Sequence, residues 1–197
     1  MHFQKCCCNI EEIRLEDVHL DTKTRFIYCV EEERMNQGSI IVYYGNGRGK
    51  SSAAIGHAIG AAGAGESVAI IQFLKGNNQA EIEFLKRLEP EVRLFSFEKN
   101  AEFFSELSEE QKQEEIINIK NGLNFAKKVL VTGESTILVL DEILGLLTRN
   151  IITVDDIKVL IDAKDDGTEL ILTGTDMNKE LLAFADAVYE IKSIKED

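Results

Sequence analysis

The stretch Ser39-Ile-Ile-Val-Tyr-Tyr-Gly-Asn-Gly-Arg-Gly-Lys-Ser-Ser52 predicts a strand, a glycine-rich turn and the start of a helix. Glycines let a turn bring its backbone N–H groups close to an anion, and the positive end of the following helix favours negative charge. We therefore predict a phosphate-binding loop made of the residues after the strand: Gly45, Asn46, Gly47, Arg48, Gly49, Lys50, Ser51 and Ser52. Lys50 is the candidate catalytic residue, which would hold the outer phosphates, and Ser51 would ligate Mg²⁺.

This loop departs from the ordinary P-loop pattern at its first position. The pattern places a glycine five positions before the glycine of the Gly-Lys pair, and the sequence has Tyr44 there. A plain strand-to-helix turn with a surface lysine is the alternative interpretation.

A second apolar run ends in two carboxylates. Residues 136–142 predict a buried strand that carries Asp141 and Glu142 at its C-terminal end. Ligands collect at the carboxyl ends of the strands in open α/β sheets, so these side chains would reach the Mg²⁺ held by Ser51. The predicted metal site is Ser51, Asp141 and Glu142, and the choice of direct carboxylate ligand stays open. The alternative is a solvated acidic pair that caps a helix near Ile143.

Composition limits the class of protein without naming a function. With 197 residues and 44% hydrophobic content, the chain suits one domain with an ample core. Lys and Arg number 22 against 35 Asp and Glu, and the net charge of −13 disfavours nucleic acid as a partner. The sequence contains no apolar run of about 20 residues and does not begin like a secretory signal, so we expect no membrane partner and a cytoplasmic location.

We predict that residues 1–37 are an appended segment and that residues 38–197 form the P-loop domain. All four cysteines (Cys6, Cys7, Cys8 and Cys29) lie in the appended segment, without the spacing of a zinc site. Met35 precedes the first core strand directly. An internal translation start there, which would remove residues 1–34, is an alternative to the full-length segment.

From Ser39 onward, predicted strands and helices alternate. This order predicts an α/β fold, a P-loop NTPase-like three-layer domain with a mostly parallel sheet covered by helices on both faces. Further strands are predicted at residues 67–73, 92–97, 168–174 and 187–191. Helices are predicted at residues 79–88, 108–130, 153–161 and 181–185, with a loop at 98–107. Ser108 with Gln111 and Thr153 with Asp156 have the spacing of capping boxes.

Several motifs, in order, resemble the P-loop type of ATP:corrinoid adenosyltransferases, which act on cob(I)alamin or cob(I)yrinic acid a,c-diamide in cobalamin biosynthesis. Residues 45–54 are similar to the family's Gly-Asn-Gly-Lys-Gly-Lys-Thr-Thr-Ala-Ala loop, which also lacks the first P-loop glycine. Residues 72–76, 139–142 and 172–174 resemble its Gln-Phe-Ile-Lys-Gly, Val-Leu-Asp-Glu and Leu-Thr-Gly motifs. The resemblance covers about residues 38–192.

The resemblance implies that the Co(I) of a corrinoid attacks the 5′ carbon of ATP and that triphosphate leaves. The residues from Gly45 to Ser52 would then grip the phosphates, with the nucleotide running opposite to the usual P-loop direction. Asp141 and Glu142 would serve the metal. ATP, Mg²⁺ and the corrinoid substrate are implied, as are a reductant for cobalt and a homodimer.

Three departures from the family pattern leave two other functions open. No Gly-Phe-Thr-Trp stretch is found in residues 95–104, Thr175 replaces the arginine of Thr-Gly-Arg, and the chain ends at Asp197 without the family's lysine- and glycine-containing tail. The alternatives are a P-loop ATPase that releases orthophosphate, and a protein that binds ATP or a corrinoid without turnover.

Overall fold

The computed structural model describes residues 38–74, 79–97, 99 and 104–195. The strands found there are β1 (Ile40–Tyr44), β2 (Val68–Gln72), β3 (Val92–Ser96), β4 (Ile137–Asp141), β5 (Glu169–Gly174) and β6 (Ala187–Glu190). The helices are α1 (Lys50–Gly63), α2 (Gln79–Lys86), α3 (Glu109–Thr132), α4 (Ile143–Thr148) and α5 (Val154–Ala163). Each predicted strand of the described part is confirmed, within one or two residues at either end.

The six strands form one sheet in the order β3-β2-β4-β5-β1-β6, and every neighbouring pair is parallel. Since all strands run the same way, their carboxyl ends meet at one edge. β5 lies between β1, which leads into the glycine-rich loop, and β4, which ends in Asp141. The predicted α/β fold with a parallel sheet is confirmed.

Apolar side chains fill both faces of the sheet, and β4 shows this most clearly. Leu138 and Leu140 pack with α3, α4 and α5 on one face, while Ile137 and Val139 pack with α1 and α2 on the other. Alternate residues of a strand point to opposite faces, so a strand covered on both sides has a continuous apolar run. The helices therefore form the two outer layers that the sequence predicts.

The two predicted capping boxes are confirmed. The side chain of Ser108 accepts the N–H of Gln111 at 3.3 Å, and Thr153 accepts the N–H of Asp156 at 3.2 Å. In both boxes the second side chain bonds back to the backbone N–H of the capping residue. Each box stabilises its helix start by about 1 kcal/mol.

Two predicted segments differ from the structure. The helix predicted at residues 181–185 is a single 3₁₀ turn, Leu181–Ala183. The N–H of Asp186 donates to the Ile40 carbonyl at 2.9 Å, which draws the chain into β6 before a second turn can form. The predicted loop at residues 98–107 includes another 3₁₀ turn, Phe104–Glu106.

Several predictions concern residues outside the described part: the segment 1–37, its cysteines and the alternative start at Met35. The division of the chain before residue 38 therefore stays a prediction. Among the helices of the described residues, none combines the length and apolar character that crossing a membrane requires.

Candidate active site

The predicted phosphate loop connects β1 to α1 at the carboxyl edge of the sheet. Gly45 and Gly49 have φ angles of 126° and 111°, a region that residues with a Cβ rarely adopt. A Cβ at Gly47 would lie 2.8 Å from backbone atoms in residues 191–193, and a Cβ at Gly45 would overlap the carbonyl of the same segment. The loop thus needs glycine partly because the chain after β6 packs directly against it.

Two N–H groups of the loop already donate to the protein. The N–H of Gly45 donates to the Thr175 carbonyl at 3.0 Å, and that of Gly47 donates to the Ile191 carbonyl at 3.0 Å. These bonds hold the first half of the loop against the ends of β5 and β6. The N–H groups that remain to meet an anion come from the end of the loop and the start of α1.

The N-terminus of α1 lacks the capping that α3 and α5 have. Its capping residue is Gly49, which supplies no side-chain hydrogen bond, and its first turn contains no acidic residue. In contrast, α3 and α5 each carry a capping box and two acidic residues in the first turn. Since the first N–H groups of a helix have no partner within it, those of Lys50, Ser51 and Ser52 favour an external anion.

The Lys50 ammonium lies beside this helix start. Lys50 is half-buried, and its Nζ donates to the Gly47 carbonyl at 3.0 Å. An ammonium has three donors, so two are left for a ligand. The other predicted side chains of the loop are exposed or half-buried: Asn46, Arg48, Ser51 and Ser52.

The two predicted carboxylates follow one another at the end of β4 but lie in different surroundings. Asp141 is fully buried and accepts the Thr173 hydroxyl at 2.7 Å and the Gln72 amide at 3.4 Å. Glu142 has a left-handed backbone with φ 63° and is the N-terminal capping residue of α4. A Cβ at Gly145 would lie 2.5 Å from Glu142 Oε1, so the Glu142 side chain lies over this helix.

Thr173 and Gln72 occur in the sequence motifs, but sequence reasoning gave neither residue a role. The Thr173 hydroxyl donates to Asp141 and also accepts the N–H of Glu142 at 2.8 Å. Gln72 lies opposite Asp141 in the β2–β4 register. The available signal was a polar residue at the end of each apolar strand, which is where parallel sheets place their ligands.

The structure brings the loop and the carboxylates to one edge without making their strands neighbours. β5 separates β1 from β4, so their backbones lie roughly 10 Å apart, which is two strand spacings. Tyr44 lies opposite Gly174 on one side of β5, and Leu140 lies opposite Leu172 on the other. The end of β5 therefore lies between the predicted phosphate loop, which includes Ser51, and the two predicted carboxylate ligands at the end of β4.

A cleft of about 470 Å³ adjoins the loop. Its lining includes Tyr44, Asn46, Thr175 and Lys192, which come from the ends of β1, β5 and β6. Lys192 Nζ lies 2.8 Å from a carboxylate oxygen of Glu190, and this hydrogen bond raises the Lys192 pKa. Sequence reasoning missed the cleft because no local pattern marks the residues after β6 as neighbours of the loop.

The oxygen donors at this edge suit Mg²⁺, which takes ligands from water and substrate, better than a metal ion whose ligands all come from the protein. The described residues contain no group of three or more His, Cys, Asp or Glu side chains that could hold an ion. Mg²⁺ keeps several waters and is commonly bound by one or two carboxylates together with substrate phosphates. Ser51, Asp141 and Glu142 offer that kind of incomplete donor set, and their role as metal ligands stays a prediction.

The chain is similar to known proteins over most of its length. The corrinoid adenosyltransferase of Escherichia coli strain K12 is 26% identical over 169 residues, which cover 84% of this chain and 82% of the relative. The corrinoid adenosyltransferase CobA of Salmonella typhimurium is 27% identical over 176 residues, which cover 88% of this chain and 86% of the relative.

A likeness to a solved structure bears on the fold alone. The KaiC-like protein PH0186 from Pyrococcus horikoshii OT3 is similar to this chain with a TM-score of 0.54 and 16% sequence identity. The match covers 81% of this chain and 75% of the PH0186 chain.

A family model described as ATP:corrinoid adenosyltransferase BtuR/CobO/CobP matches residues 36–197. This match confirms the resemblance seen in the motifs and the prediction of a transferase. The chain therefore belongs to the ATP:corrinoid adenosyltransferase family.

Proposed function

We propose that the protein transfers the 5′-deoxyadenosyl group of ATP to the Co(I) of a corrinoid and releases triphosphate. The observation that carries the proposal is the loop of residues 45–52, which follows Tyr44 at the family's irregular first position and includes the start of an uncapped helix. Family membership over residues 36–197 supports the same reaction. The proposed corrinoid is cob(I)yrinic acid a,c-diamide or cob(I)alamin.

In the proposed reaction, negative charge develops on the leaving group, which is triphosphate. A cobalt–carbon bond forms as the Co(I) electron pair attacks C5′ of ATP, and the bond from C5′ to oxygen breaks with its electrons moving to triphosphate. No proton is transferred in this step, so the protein needs no general acid or base. Its tasks are to align ATP with the corrinoid and to stabilise the negative charge that builds on triphosphate.

The described residues supply donors for that task. The N–H groups of Lys50, Ser51 and Ser52 would bind phosphate oxygens together with the positive end of α1. Lys50 would turn its two remaining donors toward the triphosphate, and the exposed Arg48 would add a second cation. Both cations lie in the loop of a chain whose net charge is −13.

Mg²⁺ would be held by Ser51 and by a carboxylate at the end of β4, with ATP completing its coordination. When bound, the ion would neutralise part of the triphosphate charge. Because the proposed metal site has two carboxylates at most, Asp141 and Glu142, we infer that metal and nucleotide bind together. A homodimer and a separate reductant for cobalt also belong to this proposal.

The deciding experiment incubates purified protein with MgATP and chemically reduced cob(I)alamin without oxygen, and repeats the incubation with cob(I)yrinic acid a,c-diamide. The cobalt spectrum reports the cobalt–carbon bond, and chromatography identifies the phosphate product. A light-sensitive adenosylcorrinoid with equimolar triphosphate is the expected result. Orthophosphate without a cobalt–carbon bond would indicate an ATPase instead, and bound ATP without product would indicate a binding protein.

Lys50→Ala should lower turnover at least about 100-fold, because it removes a charge that stabilises the leaving group. The matched control is Lys179→Ala, which removes an exposed lysine after β5. Both variants should unfold at the wild-type temperature within about 2 °C, because neither side chain is part of the core. Wild-type turnover in Lys50→Ala would remove Lys50 from the mechanism.

A further inference from the structure

Thr173 is a buried polar residue at the end of β5, between the two halves of the proposed site. Its relative exposure is 0%, and it precedes the glycine with which β5 ends. A threonine hydroxyl can donate one hydrogen bond and accept others. Here it donates to Asp141 Oδ1 at 2.7 Å and accepts the Glu142 N–H at 2.8 Å. One side chain thus contacts the carboxylate of Asp141 and the backbone of Glu142, two of the three candidate metal ligands.

The backbone just after Thr173 holds the phosphate loop. The carbonyl groups of Gly174 and Thr175 accept the N–H of Gly45 at 3.3 Å and 3.0 Å. A movement at the end of β5 would therefore displace the start of the loop and the carboxylates together. Thr173 connects these elements although it is far from both in the sequence.

We propose that Thr173 is a positioning residue that orients Asp141 and Glu142 for the Mg²⁺ of bound MgATP. This inference rests on the proposed function, because it assumes that the ligand at the loop is a metal nucleotide. The hydroxyl directs one carboxylate oxygen of Asp141 and fixes the backbone where Glu142 turns into α4. The Gln72 amide is a second, longer contact to the other Asp141 oxygen, at 3.4 Å.

Replacing the hydroxyl by a methyl group separates positioning from packing. Thr173→Val keeps the size of the side chain and removes its donor, and Thr173→Ser keeps the donor. The matched control is Thr136→Val near the start of β4. Thr136 also makes two hydrogen bonds through its hydroxyl, donating to the Ser67 carbonyl and accepting the Ser67 N–H, each at 3.1 Å.

The measurement is ATP affinity by titration calorimetry, with Mg²⁺ and with EDTA. Partners that orient metal ligands typically change metal affinity 10- to 100-fold. In Thr173→Val, we expect the factor by which Mg²⁺ tightens ATP binding to fall at least about 10-fold, with affinity in EDTA nearly unchanged. Thr173→Ser should restore the factor to within about three-fold, and Thr136→Val should leave it at the wild-type value.

Three results would overturn the inference. They are a folded Thr173→Val with the wild-type Mg²⁺ factor, a Thr173→Ser as impaired as the valine variant, and a wild-type protein whose ATP affinity does not respond to Mg²⁺. If the valine variant does not fold, Thr173→Cys takes its place, because a thiol is a weak donor. A cysteine variant with the full Mg²⁺ factor would then count against the inference.

These readouts are binding equilibria and need no turnover. A wild type that binds MgATP but forms no cobalt–carbon bond would refute the proposed adenosyl transfer without bearing on the role of Thr173.

Discussion

Replacing Gly49 by alanine tests the backbone conformation of the loop at the residue before α1. Gly49 has φ 111° and ψ −2°, and an added Cβ would meet nothing within 4 Å. The expected effect is therefore backbone strain alone, which costs a residue with a Cβ about 1–2 kcal/mol in the left-handed region. In a chain of this size, that loss of unfolding free energy lowers the melting temperature by about 2–8 °C. Thermal and urea unfolding measure it.

The matched control is Gly56→Ala, in the helix that Gly49 precedes. A Cβ at Gly56 would also meet nothing within 4 Å, but this residue lies inside α1. Alanine in a helix interior is favoured over glycine by about 0.5–1 kcal/mol, so the control should melt about 1–4 °C higher than wild type. The same added atom is thus expected to have opposite effects at two positions. A Gly49→Ala variant as stable as wild type would refute the left-handed geometry assigned to the loop.

Gly49→Ala also tests where the phosphates bind. Relief of the strain would rotate the first N–H groups of α1, so ATP affinity should fall in Gly49→Ala and stay unchanged in Gly56→Ala. Titration calorimetry measures both. Equal ATP affinity in the two variants would refute binding at this helix start, whatever their stabilities.

Two further predictions concern stability away from the site. Ser108→Ala should lower the free energy of unfolding by about 1 kcal/mol through loss of the α3 capping box, with ATP affinity unchanged; urea unfolding and calorimetry test this, and a weaker ATP affinity would contradict it. The Thr168 side chain and N–H groups lower the pKa of the exposed Asp165 below its ordinary value of 3.8, so the carboxylate stabilises the fold above that pH and its contribution is lost as the pH falls through the folded pKa. Asp165→Asn should therefore destabilise the protein more at pH 7 than at pH 3 in urea unfolding, and a deficit that grows on acidification would count against the assignment.

Local sequence patterns predicted the elements of the fold because each depends on residues that are near one another in the chain. The run of Ile137–Leu140 has no polar break, which is typical of a strand buried on both faces. Ser108 and Thr153 mark helix starts by hydrogen bonds that span only three residues. The 3₁₀ turn at Leu181–Ala183 escaped prediction because a contact with β1, distant in the sequence, decides where that segment ends.

The candidate site was only half predictable, because its remaining parts depend on the spatial order of the strands. Periodicity predicts that β5 exists, but no pattern predicts that it lies between β1 and β4. With β5 beside β4, Leu172 pairs with Leu140, and the residues that follow them, Thr173 and Asp141, come into contact. The packing of residues 191–193 against the loop likewise follows from the position of β6 beside β1.

The same geometry changes how one departure from the family pattern is interpreted. Thr175 stands where the pattern has arginine, which by sequence alone removes a cation from the end of β5. In the structure, Thr175 lines the cleft beside the loop together with Lys192, which arrives from the end of β6. The cleft therefore keeps a cation from a different strand, although the Glu190 carboxylate pairs with it at 2.8 Å. Loss of a motif residue is thus weak support for loss of activity until the neighbouring strand ends are known.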